Sequence, residues 1–142
     1  MYDSILVPVD GSEPSAAAVD HACGIAAGET TIHLLHVVEH PERGMVGGDI
    51  PESLLEQLRT DGERIVEAAT ETVRDAGIDV ESAVVEGMVT REIADYADAN
   101  DIDLLVMGTH GRSGVERYLL GSTTERTIRT VDRPVLTVES SP

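Results

Sequence analysis

The chain has 142 residues, 27 of them acidic against 10 basic, for a formal charge of −17. That length suits one domain with an unstapled core, expected to span residues 1–142, and a hydrophobic share of 41% argues against wholesale disorder. The charge disfavours nucleic acid, the single Cys23 rules out an intrachain disulfide, and no apolar run approaches the ~18 residues of a membrane span.

Ser4-Ile5-Leu6-Val7-Pro8-Val9 is an apolar run ending at Asp10-Gly11-Ser12, the pattern of a buried strand and a turn. Ala18, Val19, Ala22, Ile25 and Ala26 then predict a helix from Ser12, its N-cap, to about Ala27, with Cys23 buried in it. Thr31–Val38 reads as a second strand. Glu39–Ile50, with Gly44, Gly47 and Gly48, reads as a loop in which Met45 is either part of a lid or a plain loop residue. Leu54, Leu55, Leu58, Ile65, Val66, Ala69 and Val73 trace one face of a long helix from Pro51 to Ala76, stopped at Gly77. Ile78–Val85 is a third strand, Thr90 caps a helix carrying Ile93, Ala94 and Ala97, and Asp103–Met107 is a fourth strand. Ser122–Val131 is the last helix, with Ser122 and Glu125 at capping-box spacing, and Pro134–Val138 the fifth strand.

Near-continuous aliphatic strands alternating with helices define an α/β fold: a doubly wound five-stranded parallel sheet, order 3-2-1-4-5, helices on both faces. Ligands in such sheets bind at the carboxyl ends of the strands beside the switch point, here between strands 1 and 4. Pro8–Ser12 and the segment from Gly108 onward are thereby singled out.

The second segment reads Gly108-Thr109-His110-Gly111-Arg112-Ser113-Gly114, and Gly121-Ser122-Thr123 follows at the start of the last helix. Glycines allow close backbone approach, and free N–H groups at a helix start favour an anion. All ten basic residues are arginine, and residues 112–133 hold five of them (Arg112, Arg117, Arg126, Arg129, Arg133) against Glu116, Glu125 and Asp132. That stretch carries 5 − 3 = +2 while the remainder carries 5 − 24 = −19. The arginines are read either as anion-attracting groups or as ordinary ion pairs on a solvated helix face.

Gly108, Gly111, Gly121 and Ser122 match in full the G-x2-G-x9-G-[S/T] motif of the universal stress protein family, ATP-binding branch, which the chain resembles over essentially its whole length. Ile5–Ser12, Leu35-His36-Val37 and Pro134–Val138 are similar to that family's first, second and last strands. The resemblance implies an adenine nucleotide alpha hydrolase-like fold and a regulatory stress-response protein that binds ATP with Mg2+, with slow hydrolysis at most. It implies that Pro8, Val9 and Val37 line an adenine pocket, and that Asp10 bonds the ribose beside Met107 and Gly108. Gly111, Gly121, Ser122 and Thr123 would cradle phosphate, with Arg112 adjacent. It further implies a homodimer paired through Val135–Glu139, the last strand.

Two alternatives stay open: an adenine-nucleotide-using enzyme (ATPase or adenylyl transfer), and a nucleotide-free dimeric interaction module. A Walker motif needs a lysine and the chain has none, and Gly108-x2-Gly111-x2-Gly114 is not the dinucleotide fingerprint. The pyrophosphatase loop of related synthetases is also missing after strand 1. No catalytic residue and no metal site are assigned: His33, His36 and His40 suggest metal ligands, but His33 and His36 lie three apart on a strand and so face opposite sides. His110, inside the glycine-rich segment, is read either as a phosphate contact or, the plainer reading, as an exposed loop residue. Met1–Asp10 has neither the basic start nor the core of a signal, so a cytoplasmic location without a membrane partner is expected. The acidic, lysine-free composition points to a salt-loaded, halophilic archaeal cytoplasm.

Overall fold

A computed structural model describes residues 2–39, 51–110 and 120–140. Nine elements follow one another: β1 (Ser4–Pro8), α1 (Glu13–Ile25), β2 (Thr31–Glu39), α2 (Glu52–Asp75), β3 (Asp79–Gly87), α3 (Val89–Ala99), β4 (Leu104–Gly108), α4 (Ser122–Thr130) and β5 (Val135–Val138). The strands form one all-parallel sheet in the order β3-β2-β1-β4-β5. This is the doubly wound order that the alternation of strands and helices requires.

Side-chain alternation along the strands divides the core in two. Ile5, Val7, Ile32, Leu34 and Val106 face α1 and α2, and pack on Ala18, Ala22, Val66 and Val73. Leu6, Leu35, Leu105 and Met107 face the opposite side and meet Ile93 and Ala97 of α3. With no Phe or Trp in the chain, both layers are aliphatic. Cys23 is half-buried against the first layer, where burial and the nearby Asp20 carboxylate push its thiol pKa up.

The helix ends follow from local chemistry, with three departures from expectation. Ser12 caps α1, its Oγ accepting the Ser15 N–H at 3.3 Å. Gly77, at φ +76°, ends α2 in a Schellman arrangement: its N–H donates to Arg74 O and that of Ile78 to Val73 O. Thr90, however, does not cap α3. Met88 holds the cap position and Thr90 is buried in the first turn, because the strand runs on to Gly87 and leaves no residue between. Nor does Ser122 form a capping box. Gly121 is the N-cap, Ser122 is the first helical residue, and Glu125 pairs with Arg129 at 2.9 Å instead. Leu54, placed on the apolar face by its spacing, is 48% exposed. It lies in the first turn of α2.

No helix among the described residues is long and apolar enough to cross a membrane. Glu139 falls just beyond β5, so the edge strand is one residue shorter than the Val135–Glu139 seam expected for pairing.

Candidate functional site

A cavity of about 480 Å³ opens where β1 and β4 end and the chain leaves the sheet on opposite faces. The volume is in the range of small-molecule sites. Nine of the eleven residues singled out from sequence line it: Pro8, Val9, Asp10, Val37, Met107, Gly108, Gly121, Ser122 and Thr123. Gly111 and Arg112, like Met45 and His40, lie outside the described residues.

Three strand ends and one helix start build the cavity. Gly108 ends β4 against the first turn of α1: a Cβ there would sit 2.6 Å from Cβ of Pro14, so only glycine permits this contact. Beyond it, Thr109 is clamped twice, its N–H donating to Val138 O at 3.0 Å and its carbonyl accepting the Gly121 N–H at 2.7 Å. Thr124, buried in the first turn of α4, donates its Oγ1 to Gly108 O at 2.9 Å. These bonds fix the start of α4 over the end of β4.

The Gly121 amide, expected to face an anion, is therefore already committed to Thr109. The first-turn amides of Ser122, Thr123 and Thr124 are the ones without a carbonyl four residues back inside the helix. With the positive end of the α4 dipole behind them, they form the anion-favouring wall. Of the arginines in this stretch, Arg129 pairs with Glu125, and Arg133 bonds Asp98 at 2.6 Å and the Ile102 carbonyl at 2.6 Å. Both are ordinary structural contacts outside the cavity lining, as the plainer interpretation of that basic stretch holds.

Asp10 sits at the cavity edge in a tight turn. Its Oδ1 accepts the Ser12 N–H at 2.9 Å and the Ser12 hydroxyl, which ties the orientation of the carboxylate to the cap of α1. Ser15, buried beneath, offers its Oγ to the Asp10 N–H at 3.4 Å.

Of the two readings of His110, the exposed loop residue is not what the structure shows. It lines the cavity half-buried, with Nδ1 3.1 Å from Thr109 Oγ1, and its Nε2 is a buried atom without a hydrogen-bond partner among the described residues. Its neighbours in the glycine-rich segment gave no sign of that burial.

The sequence also left other lining residues unmarked. Leu58, Asp61 and Ile65 reach the cavity from α2, and Val89 and Ile93 from α3. Leu58, Ile65 and Ile93 were legible as apolar helix positions, but periodicity cannot tell a core position from a cavity wall. His36 lines the cavity too, donating from Nδ1 to the Val9 carbonyl at 2.7 Å. His33 faces the other side of the sheet and shares a 2.8 Å hydrogen bond with the Tyr96 hydroxyl. The two histidines thus diverge as strand geometry requires, and among the described residues no three His, Cys, Asp or Glu side chains converge as metal ligands.

A parallel sheet with a cavity at its switch point, bounded by a strand-end glycine and a glycine-started helix, is the architecture of a doubly wound α/β domain, in which ligand sites lie at that point. The sequence pattern of the universal stress protein family matches residues 1–139, and the chain belongs to that family. It is 33% identical over 141 residues to universal stress protein MJ0531 of Methanocaldococcus jannaschii, across 98% of this chain and 83% of that relative. MJ0577 of the same organism is 30% identical over 156 residues, across 98% and 96% of the two chains. The solved structure of MJ0577 superposes with a TM-score of 0.85 at 27% identity, covering 100% of this chain and 99% of the other. A universal stress protein solved in complex with cAMP superposes with a TM-score of 0.72 at 28% identity, covering 99% and 98%.

Proposed function

We propose that this chain is an ATP-binding regulatory module of the stress response, with the nucleotide seated in the cavity between β1, β2, β4 and α4. The observation that carries this reading is the mixed chemistry of the lining. Val9, Val37, Leu58 and Val89 supply apolar wall, Asp10 a carboxylate, and the first turn of α4 main-chain donors. Base, ribose and phosphate call for those three kinds of partner. A cyclic adenine nucleotide bound by a relative of the same fold supports the class of ligand.

The role proposed for each residue is the one that the family resemblance implies. Pro8, Val9 and Val37 contact the base; Asp10, Met107 and Gly108 contact the ribose; Ser122 and Thr123, with Gly111 and Arg112 from the glycine-rich segment, contact phosphate. Gly121 acts indirectly, its N–H fixing the start of α4 to Thr109 O. Among the described residues no set of protein ligands converges, and the donor chemistry fits Mg2+ carried in on the triphosphate, with Asp10 and the Ser122 hydroxyl among the oxygen donors of the cavity lining. The ion would offset phosphate charge in a strongly acidic protein. We also infer pairing of two copies through β5, an edge strand whose four residues are all half-buried.

Native mass spectrometry of protein purified in molar KCl without added nucleotide tests the reading. A mass increment equal to an adenine nucleotide, removed by unfolding and restored by ATP, is expected. Protein that carries none and takes up none would refute it.

A further inference from the structure

β1 and β2 run side by side up to the pair Pro8 and Leu35, and the Val9 N–H closes that rung on Leu35 O at 2.8 Å. In a parallel ladder the residues of one strand alternate between its two neighbours, so Val37 is the next residue of β2 to turn its N–H and C=O toward β1. The next rung would join the Val37 N–H to the Val9 carbonyl. That rung is not made among the described residues; the Val9 carbonyl instead accepts the Nδ1–H of His36 at 2.7 Å. A side chain has taken the place of a main-chain donor, and the cavity opens at that point with Val37 in its wall.

A second, independent observation shows the imidazole to be built in. Gly62 stands mid-way along α2, a 24-residue helix, where glycine costs roughly 0.5–1 kcal/mol relative to alanine. A Cβ at that position would lie 2.5 Å from Cδ2 and 3.2 Å from Nε2 of His36. The helix gives up intrinsic stability at the one turn that covers this ring.

We propose that His36 is a positioning residue for the base: by occupying the Val9 carbonyl it keeps the main-chain N–H and C=O of Val37 open to the edge of a purine. The proposal rests on the nucleotide reading above and deepens it into base selectivity. Adenine presents its N6 amino donor next to a ring-nitrogen acceptor, which complements an adjacent C=O and N–H. Hypoxanthine, held by the same ribose and phosphate contacts, sets its O6 against the Val37 carbonyl and is rejected, since an unmatched buried polar pair costs more than a hydrogen bond returns.

The test has two arms, in wild type, His36→Leu and His36→Asn. In nucleotide-free protein, amide hydrogen exchange at Val37 should be fast relative to Leu35 in wild type and about tenfold or more slower in His36→Leu, where the Val9 carbonyl is released to close the missing rung. In calorimetric titrations, the preference for ATP over inosine triphosphate should fall about tenfold in His36→Leu, the worth of one hydrogen bond. His36→Asn, whose amide N–H stands near the place of Nδ1–H, should restore both. A loss of packing alone would weaken both nucleotides equally and leave Val37 exchange as fast as before, and that result overturns the proposal. Should His36→Leu not fold, His36→Gln, whose amide reaches toward Nε2 and not Nδ1, takes its place. Wild-type protein that binds neither nucleotide refutes the nucleotide reading, while the exchange arm still decides what His36 does.

Discussion

Gly62 of α2 and His36 of β2 share one volume: the imidazole occupies the space into which any other residue at position 62 would send its Cβ, 2.5 Å from the ring. The ring is also hydrogen-bonded to Val9 O, so it cannot swing aside without giving up that bond.

Gly62→Ala is therefore expected to destabilise the protein by about 1–3 kcal/mol, the usual cost of overpacking, although alanine is the better helix former. In urea unfolding, the same change made in a His36→Ala background should be neutral or stabilising. Additive effects in that double-mutant cycle would contradict the shared-volume account.

The buried histidine of β2, His33, gives a pH signature. Burial against Tyr96 pushes the His33 pKa below the ordinary value, with Glu81 on the paired strand pulling the other way. The unfolded chain then takes up a proton on this side chain before the folded one does. Below about pH 6.5, the unfolded value, stability should fall by at most about 1.4 kcal/mol per pH unit on this account, until the folded pKa is reached. His33→Gln should flatten the decline between pH 6.5 and 5 in urea midpoints. An unchanged slope would assign the acid sensitivity to other groups.

The strand order was legible because aliphatic runs such as Ile5–Val7 and Leu104–Met107 alternate with helices, and parallel crossovers leave few ways to arrange them. The floor of the cavity was legible for the same reason, since Pro8–Asp10 and Gly108 end the two strands flanking the switch point. What was not legible depended on contacts between distant segments. Nothing local tells that the Gly121 amide would be claimed by Thr109, that Asp61 and Leu58 reach the cavity from α2, or that His110 turns inward. Ser122 and Glu125 had the spacing of a capping box, but Gly121, its N–H bonded to Thr109 O, is the N-cap and sets the helix start one residue earlier than that box requires.

The charge of −17 on 142 residues carries its own expectation. Raising KCl from about 0.1 M to 1 M shortens the screening length from about 10 Å to 3 Å and should weaken self-repulsion of the folded chain. The urea midpoint should climb steadily over that interval. A midpoint that stays level or falls would mean that the acidic surface is not a burden that salt relieves.

The first turn of α4 bears the central claim, that its main-chain amides hold the phosphates of a nucleotide. Ser122→Pro tests it most directly. Proline is favoured at the first helical position, and Gly121, at φ −61° and ψ 151°, already has the conformation a residue before proline requires. The change deletes one amide donor and one hydroxyl from the cavity while leaving the helix start intact. Calorimetry should give a loss of ATP affinity of about tenfold or more, the worth of a hydrogen bond to a charged group, with adenosine affinity and the unfolding midpoint unchanged. Equal ATP affinity in Ser122→Pro and wild type would contradict the account.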